Sequence, residues 1–268
     1  MLKIVLSIGI AFALLSQNST AAQAQSAAVP PPLQNVHRIV CTGDSITQGG
    51  EGPGGYVWLT RHYLAAAYPS QPIEVVNTGI GGEKSPGMLA RFQRDVIDRK
   101  PDLVTISIGI NDVWHAFRDF AHNQNYPDGS LPNGVALADY KKNFERMIAM
   151  AQQANIRVVL LSPTVIYEDL SGPENARLTS YCKALQAIAR QHKCLFVDYQ
   201  KPFRELLTVY RRDTGSTENL LTVDGVHMNP TGNRIMARTL LLTLGVPAST
   251  LDSARERVEN EARKGTRP

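Results

Sequence analysis

Cysteine is scarce: Cys41, Cys182 and Cys194 are the only three in 268 residues, an odd number that rules out a disulfide scaffold. Cys41 lies in an apolar, strand-like run and reads as a small buried hydrophobe. That leaves Cys182 and Cys194 as the one conceivable pair, and it is a poor one, with Cys182 inside a predicted helix and Cys194 beyond its end. Charge of one sign is also lacking. The formal net charge is +4, yet lysines and arginines are interleaved with aspartates and glutamates rather than gathered in a stripe with aromatics, which argues against a nucleic-acid partner. Long apolar runs are missing too. Ile4–Leu15 is shorter than the ~20 residues of a spanning helix, and no later segment comes closer without charges, so no membrane span is expected in the mature protein.

What the N-terminus does carry is the pattern of a secretory signal peptide. Met1 and Lys3 form a charged start, Ile4–Leu15 an apolar core, and AAQAQSAA a small-residue exit. The A-x-A at Ala22 and Ala24 predicts a signal peptide over 1–24 and a secreted or periplasmic product, with Ala27 and Ala28 as alternative small residues. Residues 25–35 contain Pro30, Pro31 and Pro32 and read as an extended, proline-stiffened leader. The folded domain is expected over 36–248, followed by a charged tail, 249–268, read as a solvated helix or frayed end.

Between these ends, strands alternate with helices. HRIVCTGDS gives a strand and a glycine turn, and YVWLTRHYLAAAY has helical apolar spacing. Ile73–Asn77 is a second strand, PGMLARFQRDVIDR a helix, and Leu103–Gly109 a third strand. A polar stretch, Arg118 to Gly134, precedes a helix from Ala138 to about Ala154; Arg157–Ser162 is the fourth strand, and a helix from Pro173 to about His192 leads to the fifth, CLFVDY. Asn229 can cap a last helix that begins with Pro230 and stops near Gly245. Such alternation predicts a doubly wound, mostly parallel α/β sheet with right-handed crossovers and covered faces. Ligands of such sheets bind beyond the carboxyl ends of the strands.

Polar residues gather at those ends. Gly43, Asp44 and Ser45 follow the first strand, Gly79 to Glu83 the second, and Asn111 and Asp112 the third; a late loop, DGVH, holds Asp224 and His227. Phosphate cradling does not fit: the second glycine cluster reads GGEKS, with Glu83 where a Walker loop needs glycine, and Lys84 stands where a dinucleotide fingerprint needs its last glycine. Acyl transfer does fit. It requires a nucleophile (Ser45), a base (His227), a group that orients the base (Asp224), and donors for the developing oxyanion, namely the Ser45 amide, Gly82 backbone and Asn111 side chain. Asp44 is expected to brace its turn, and Asp112 to shape its own by an Asx bond. Trp114, Tyr56 and Tyr167 read equally as substrate-lining or as ordinary core aromatics. His37, His62, His115, His122 and His192 lack metal-ligand spacing.

The blocks GDSITQGG, NTGIGGE, GINDVW and DGVHMN, in this order, resemble the SGNH hydrolases, also called the GDSL family of esterases and lipases, over about Arg38 to Leu244. The resemblance implies a three-layer, flavodoxin-like fold with a five-stranded parallel sheet. It implies a serine carboxylic-ester hydrolase with Ser45, Asp224 and His227 as catalytic residues, Ser45, Gly82 and Asn111 as the oxyanion hole, and no cofactor or metal. Its secreted carbohydrate-esterase branch, similar in GINDVW, implies an acetylated polysaccharide such as xylan, or a small ester, as substrate. A lipase or lysophospholipase acting on longer acyl chains is the alternative, and a non-catalytic carbohydrate-binding protein a third. No long apolar lid is visible, and the Arg118 to Gly134 stretch can shape a sugar cleft.

Overall fold

A computed structural model describes residues 28–265; the expected signal peptide, 1–24, lies outside them. In chain order the elements are β1 (Arg38–Gly43), α1 (Ser45–Gly49), α2 (Tyr56–Ala67), β2 (Glu74–Asn77), α3 (Ser85–Asp95), β3 (Leu103–Ser107), α4 (Ile110–Phe117), β4 (Arg118–Asp119), β5 (Gln124–Asn125), α5 (Leu137–Gln153), β6 (Arg157–Leu161), α6 (Pro173–Gln191), β7 (Leu195–Val197), α7 (Gln200–Thr214), α8 (Pro230–Thr243) and α9 (Ala248–Gly265).

The five expected strands form one sheet in the order β2-β1-β3-β6-β7, all parallel. The central strands are mostly apolar because both faces are covered: every residue of β3 is buried, as is all of β1 after Arg38. The outer strands, β2 and β7, are shorter and more exposed. From β1 the chain steps outward to β2, then crosses back to β3 and continues to β6 and β7. Right-handed crossovers therefore place α2 on one face and α3, α5 and α6 on the other. α8 and α9 pack on α2, while α3 packs on α5 and α5 on α6. The reversal between β1 and β3 opens a crevice at their carboxyl ends, where this topology accepts a ligand. Gly43 and Ser107 are register partners at that edge.

Several segments differ from the sequence reading. Gln200–Thr214 forms a further helix, α7, with Phe203 and Leu207 buried one turn apart. The segment after β3, where the sequence reading places no element, is helical: Asn111 falls in the first turn of α4. The proline leader is extended only in part: Pro31–Leu33 makes a 3₁₀ turn, Leu33 is fully buried, and Gln71 Nε2 donates to the Leu33 and Val36 carbonyls. All three cysteines are free, Cys41 and Cys182 being buried.

The charged tail also has a buried side. Leu251, Ala254 and Val258 recur at helical spacing along α9 and are buried, with α2 packed against the helix. Leu251→Ala should therefore cost about 2 kcal/mol or more of folding stability, read as a lower urea midpoint. An unchanged midpoint would show that α9 contributes nothing to the core.

Candidate active site

Asp44 accepts a hydrogen bond from the Ile46 amide at 2.9 Å, capping α1 and fixing Ser45 as its first residue. It braces the turn, as its position suggested. Its carboxyl is buried, and that burial, only partly offset by the Ile46 amide, pushes its pKa up to about 7. Gly79 closes the turn from the β2 side. A Cβ there would lie 2.3 Å from the Gln48 nitrogen, so no other residue lets the two loops approach. Asn77 joins them, accepting from the Gly79 amide (2.8 Å) and donating to the Thr47 carbonyl (2.6 Å).

From the other end of the chain, the loop before α8 brings His227 to Ser45. The Ser45 Oγ to His227 Nε2 distance is 2.8 Å, and Asp224 Oδ2 lies 2.6 Å from His227 Nδ1. Asp224 Oδ1 accepts from the Val226 and His227 amides at 3.0 and 2.8 Å. Burial pushes the Asp224 carboxyl up, but the hydrogen bonds from the His227 ring and these two amides outweigh it and hold it below its ordinary value. An ionised carboxylate only accepts, so Nδ1 carries the proton and Nε2 is left to accept from the serine hydroxyl. Asn229 caps α8 as read, accepting from the Thr231 and Gly232 amides.

The expected oxyanion donors lie around the same crevice. Gly82 adopts a left-handed backbone (φ 71°), and a Cβ on neighbouring Gly81 would lie 4.0 Å from the Ser45 Cβ. Asn111 Nδ2 donates to the Glu83 carbonyl at 3.0 Å, which fixes the amide plane and leaves the second N–H uncommitted by that bond. Serine, histidine, aspartate and these donors together can take a proton from a hydroxyl nucleophile and receive negative charge on a carbonyl oxygen.

Two side chains that the sequence did not single out, Arg91 and Glu168, and one that it read otherwise, Asp112, hold this arrangement. The buried guanidinium of Arg91 donates to the Gly43 carbonyl (3.0 Å), the Thr78 carbonyl (2.7 Å), the Glu83 carboxylate (2.8 Å) and Asp95 (3.0 Å). Glu168, also buried, accepts from the Leu220 and Leu221 amides and the Thr222 hydroxyl. Asp112 does not shape its own turn: it accepts from the Ser85 amide (3.1 Å) and hydroxyl, joining α4 to the first residue of α3. Burial raises the Asp112 carboxyl to about 6 despite those bonds. Tyr56 is wholly buried with its hydroxyl 2.8 Å from Thr47 Oγ1, so it belongs to the core and lines no substrate surface. Trp114 and Tyr167 are half-buried and bonded to each other (2.7 Å). Among the described residues, no group of three or more His, Cys, Asp and Glu side chains is placed to hold a metal ion.

The model of the GDSL-like Lipase/Acylhydrolase family matches residues 41–235. An acetylxylan esterase of Geobacillus stearothermophilus is 32% identical over 224 residues, 78% of this chain and 94% of that protein. Esterase TesA of Pseudomonas aeruginosa is 26% identical over 191 residues, 70% of this chain and 78% of that protein. A crystal structure of an acetyl xylan esterase superposes with a TM-score of 0.67 at 29% identity, covering 76% of this chain and 98% of the other. Structures of a Geobacillus stearothermophilus acetylxylan esterase (TM-scores 0.65 and 0.66, 30% identity, 78–79% of this chain, 94–95% of that one) include variants described as catalytic at a serine, an aspartate, and a histidine three positions after that aspartate.

The raised carboxyls set a pH dependence of stability. A carboxyl held above its usual 3.8 favours the native state fully at low pH and loses that contribution as pH climbs toward its folded-state value, here about 7 for Asp44. Asp44→Asn keeps an acceptor for the Ile46 amide and removes the buried charge. Its urea midpoint relative to wild type should rise between pH 4 and pH 8; a constant difference across that range would mean that Asp44 ionises freely.

Proposed function

The chain belongs to the GDSL-like lipase/acylhydrolase family and is a serine carboxylic-ester hydrolase; from that premise we propose that it removes O-acetyl groups from a carbohydrate, xylan or a related polysaccharide, with Ser45, His227 and Asp224 as its catalytic residues. The observation that carries the reading is the relay of 2.8 Å and 2.6 Å from Ser45 through His227 to Asp224. The serine, aspartate and histidine of the Geobacillus esterase, the last two at the same spacing, support the assignment.

Ser45 Oγ attacks the acetyl carbonyl carbon as His227 Nε2 takes its proton, and Asp224 stabilises the imidazolium so formed. Charge moves to the carbonyl oxygen, which meets the amides of Ser45 and Gly82 and the free N–H of Asn111. As the tetrahedral species collapses, the sugar oxygen leaves with the proton from His227. Water then repeats the attack on the acetyl-serine with His227 as base, releasing acetate and restoring the hydroxyl. The acyl group is small in this reading. The names of the acetylxylan esterases, the more extensive of the likenesses, favour it over a long-chain acyl substrate. Export directed by residues 1–24 is part of the proposal and would bring the enzyme to an extracellular polymer.

Release of the carboxylic acid, acetate from acetylated xylan and from other acetylated sugars and the fatty acid from a long-chain acyl ester, separates these substrates. Xylan or another acetylated sugar should be preferred, and preference for the long-chain ester would overturn the carbohydrate reading. Ser45→Ala should abolish hydrolysis of p-nitrophenyl acetate, and Asn111→Ala should lower kcat by about 10²–10³. Hydrolysis should also fall in acid, where a protonated His227 can no longer accept from Ser45.

A further inference from the structure

A carboxylate removed from water is unfavourable unless donors answer its charge. Glu168, just beyond β6, has no exposed surface, and a single distant segment answers it: the Leu220 amide at 2.8 Å, the Leu221 amide at 2.8 Å and the Thr222 hydroxyl at 2.6 Å. That segment is the base of the loop that carries Asp224 and His227. The Thr222 hydroxyl passes the constraint on, since Thr222 Oγ1 also accepts from the Gly225 amide at 3.1 Å. Tyr167 holds the same tip from the other side, its amide donating to the Gly225 carbonyl at 2.7 Å. A Cβ at Gly225 would lie 2.8 Å from the Tyr167 Cα, so the two backbones are in close contact.

The backbone that makes this clamp is itself unusual. Tyr167 and Glu168 are consecutive residues with left-handed backbones, φ 59° and 54°, a conformation that non-glycine residues keep only where the surroundings impose it. Within the loop, the Val223 amide donates to the His227 carbonyl (2.8 Å) and the Asn229 amide to the Leu221 carbonyl (3.0 Å), so the tip follows its base. We propose that Glu168 is a positioning residue: its carboxylate sets the register of residues 220–222 and, through Thr222 and Gly225, holds His227 between Asp224 and Ser45. The assignment rests on the reading of His227 as the general base.

Glu168→Gln is close to isosteric but places an amide NH₂ against one of the donors that the carboxylate accepts, so the loop base loses an acceptor without losing packing volume. A looser Asp224 contact stabilises the imidazolium less, and the acid limb of the pH profile should move to lower pH. Asp224 and Asp44 are titratable groups coupled to the charge of His227, and both stay unchanged in this variant.

The test uses the full chain with p-nitrophenyl acetate. A fluorophosphonate that labels the reactive serine to completion counts active sites, so that kcat is expressed per site. Glu168→Gln should lower kcat per site about tenfold or more with KM within about twofold, and shift the acid midpoint downward. Thr222→Val, which removes the relay hydroxyl but not the carboxylate, should move both readouts in the same direction by less. A role confined to stability would lower the melting temperature or the labelled fraction and leave kcat per site and the midpoint where they were. Wild-type values for both in Glu168→Gln, or in Thr222→Val should the first variant not fold, overturn the proposal. If His227→Ala retains wild-type hydrolysis, the reading of the base fails instead; an inactive His227→Ala beside a wild-type-like Glu168→Gln overturns the positioning role alone.

Discussion

A buried guanidinium that joins the ends of two strands to the loop before α3 is the interaction on which the crevice depends. Arg91 reaches the carbonyl before Asp44, the carbonyl that follows Asn77, and the carboxylate of Glu83. Each acceptor belongs to a different piece of the site: the serine turn, the entry to the glycine loop, and the residue after Gly82. A buried charge persists only with such complete pairing, and removal of one partner leaves the others unsatisfied at a cost of several kcal/mol. The same residue that requires those acceptors thereby fixes the spacing between them. Glu83 extends the connection, because its carbonyl takes the Asn111 amide.

The sheet explains why such tethers are needed. Parallel strands deliver their carboxyl ends to one edge, but the loops that leave them are separate in sequence and have no backbone ladder in common. Ser45 and His227 are 182 residues apart and meet only because the chain returns after β7 through α7 and the loop that leads into a capped α8. Side chains replace the missing ladder. Arg91 organises the half that holds Ser45, Glu168 the half that holds His227, and Asp112 secures α3 to α4 between them.

What was legible in the sequence follows from the same division. The sheet could be read because its central strands are buried on both faces and so appear as mostly apolar, β-branched runs. The glycine turns and the Asn229-Pro230 cap could be read because their meaning is local. Arg91, Glu168 and Asp112 could not: their partners are mostly backbone groups in other loops, and a lone charged residue in sequence does not reveal that it will be buried. α7 carried a readable signal, with Phe203 and Leu207 spaced by one turn and Gly215 closing the helix in a left-handed conformation. In α9 the abundance of charge concealed a narrow apolar stripe, Leu251, Ala254 and Val258.

Two aspartates near Ser45 show how one site separates the uses of a single chemical group. Asp44 adjoins the serine yet is sealed from water with one amide to answer it, so its charged form is disfavoured and its pKa rises to about 7. Asp224 is half-exposed and accepts from two amides and the imidazole, which keeps it ionised below its ordinary range. Such divergence of like groups is the physical basis on which acid and base roles are allotted. In the proposed reaction, only a permanently charged carboxylate opposite Nδ1 can both fix the tautomer and favour the imidazolium that would form as the serine attacks. Asp44 is poorly suited to either, because a charge placed there meets a burial penalty that the Ile46 amide only partly offsets; its function is geometric, to hold the first turn of α1 under Ser45. The side chain that lies nearer in sequence is thus the structural one, and the one from the far end of the chain is suited to the chemistry.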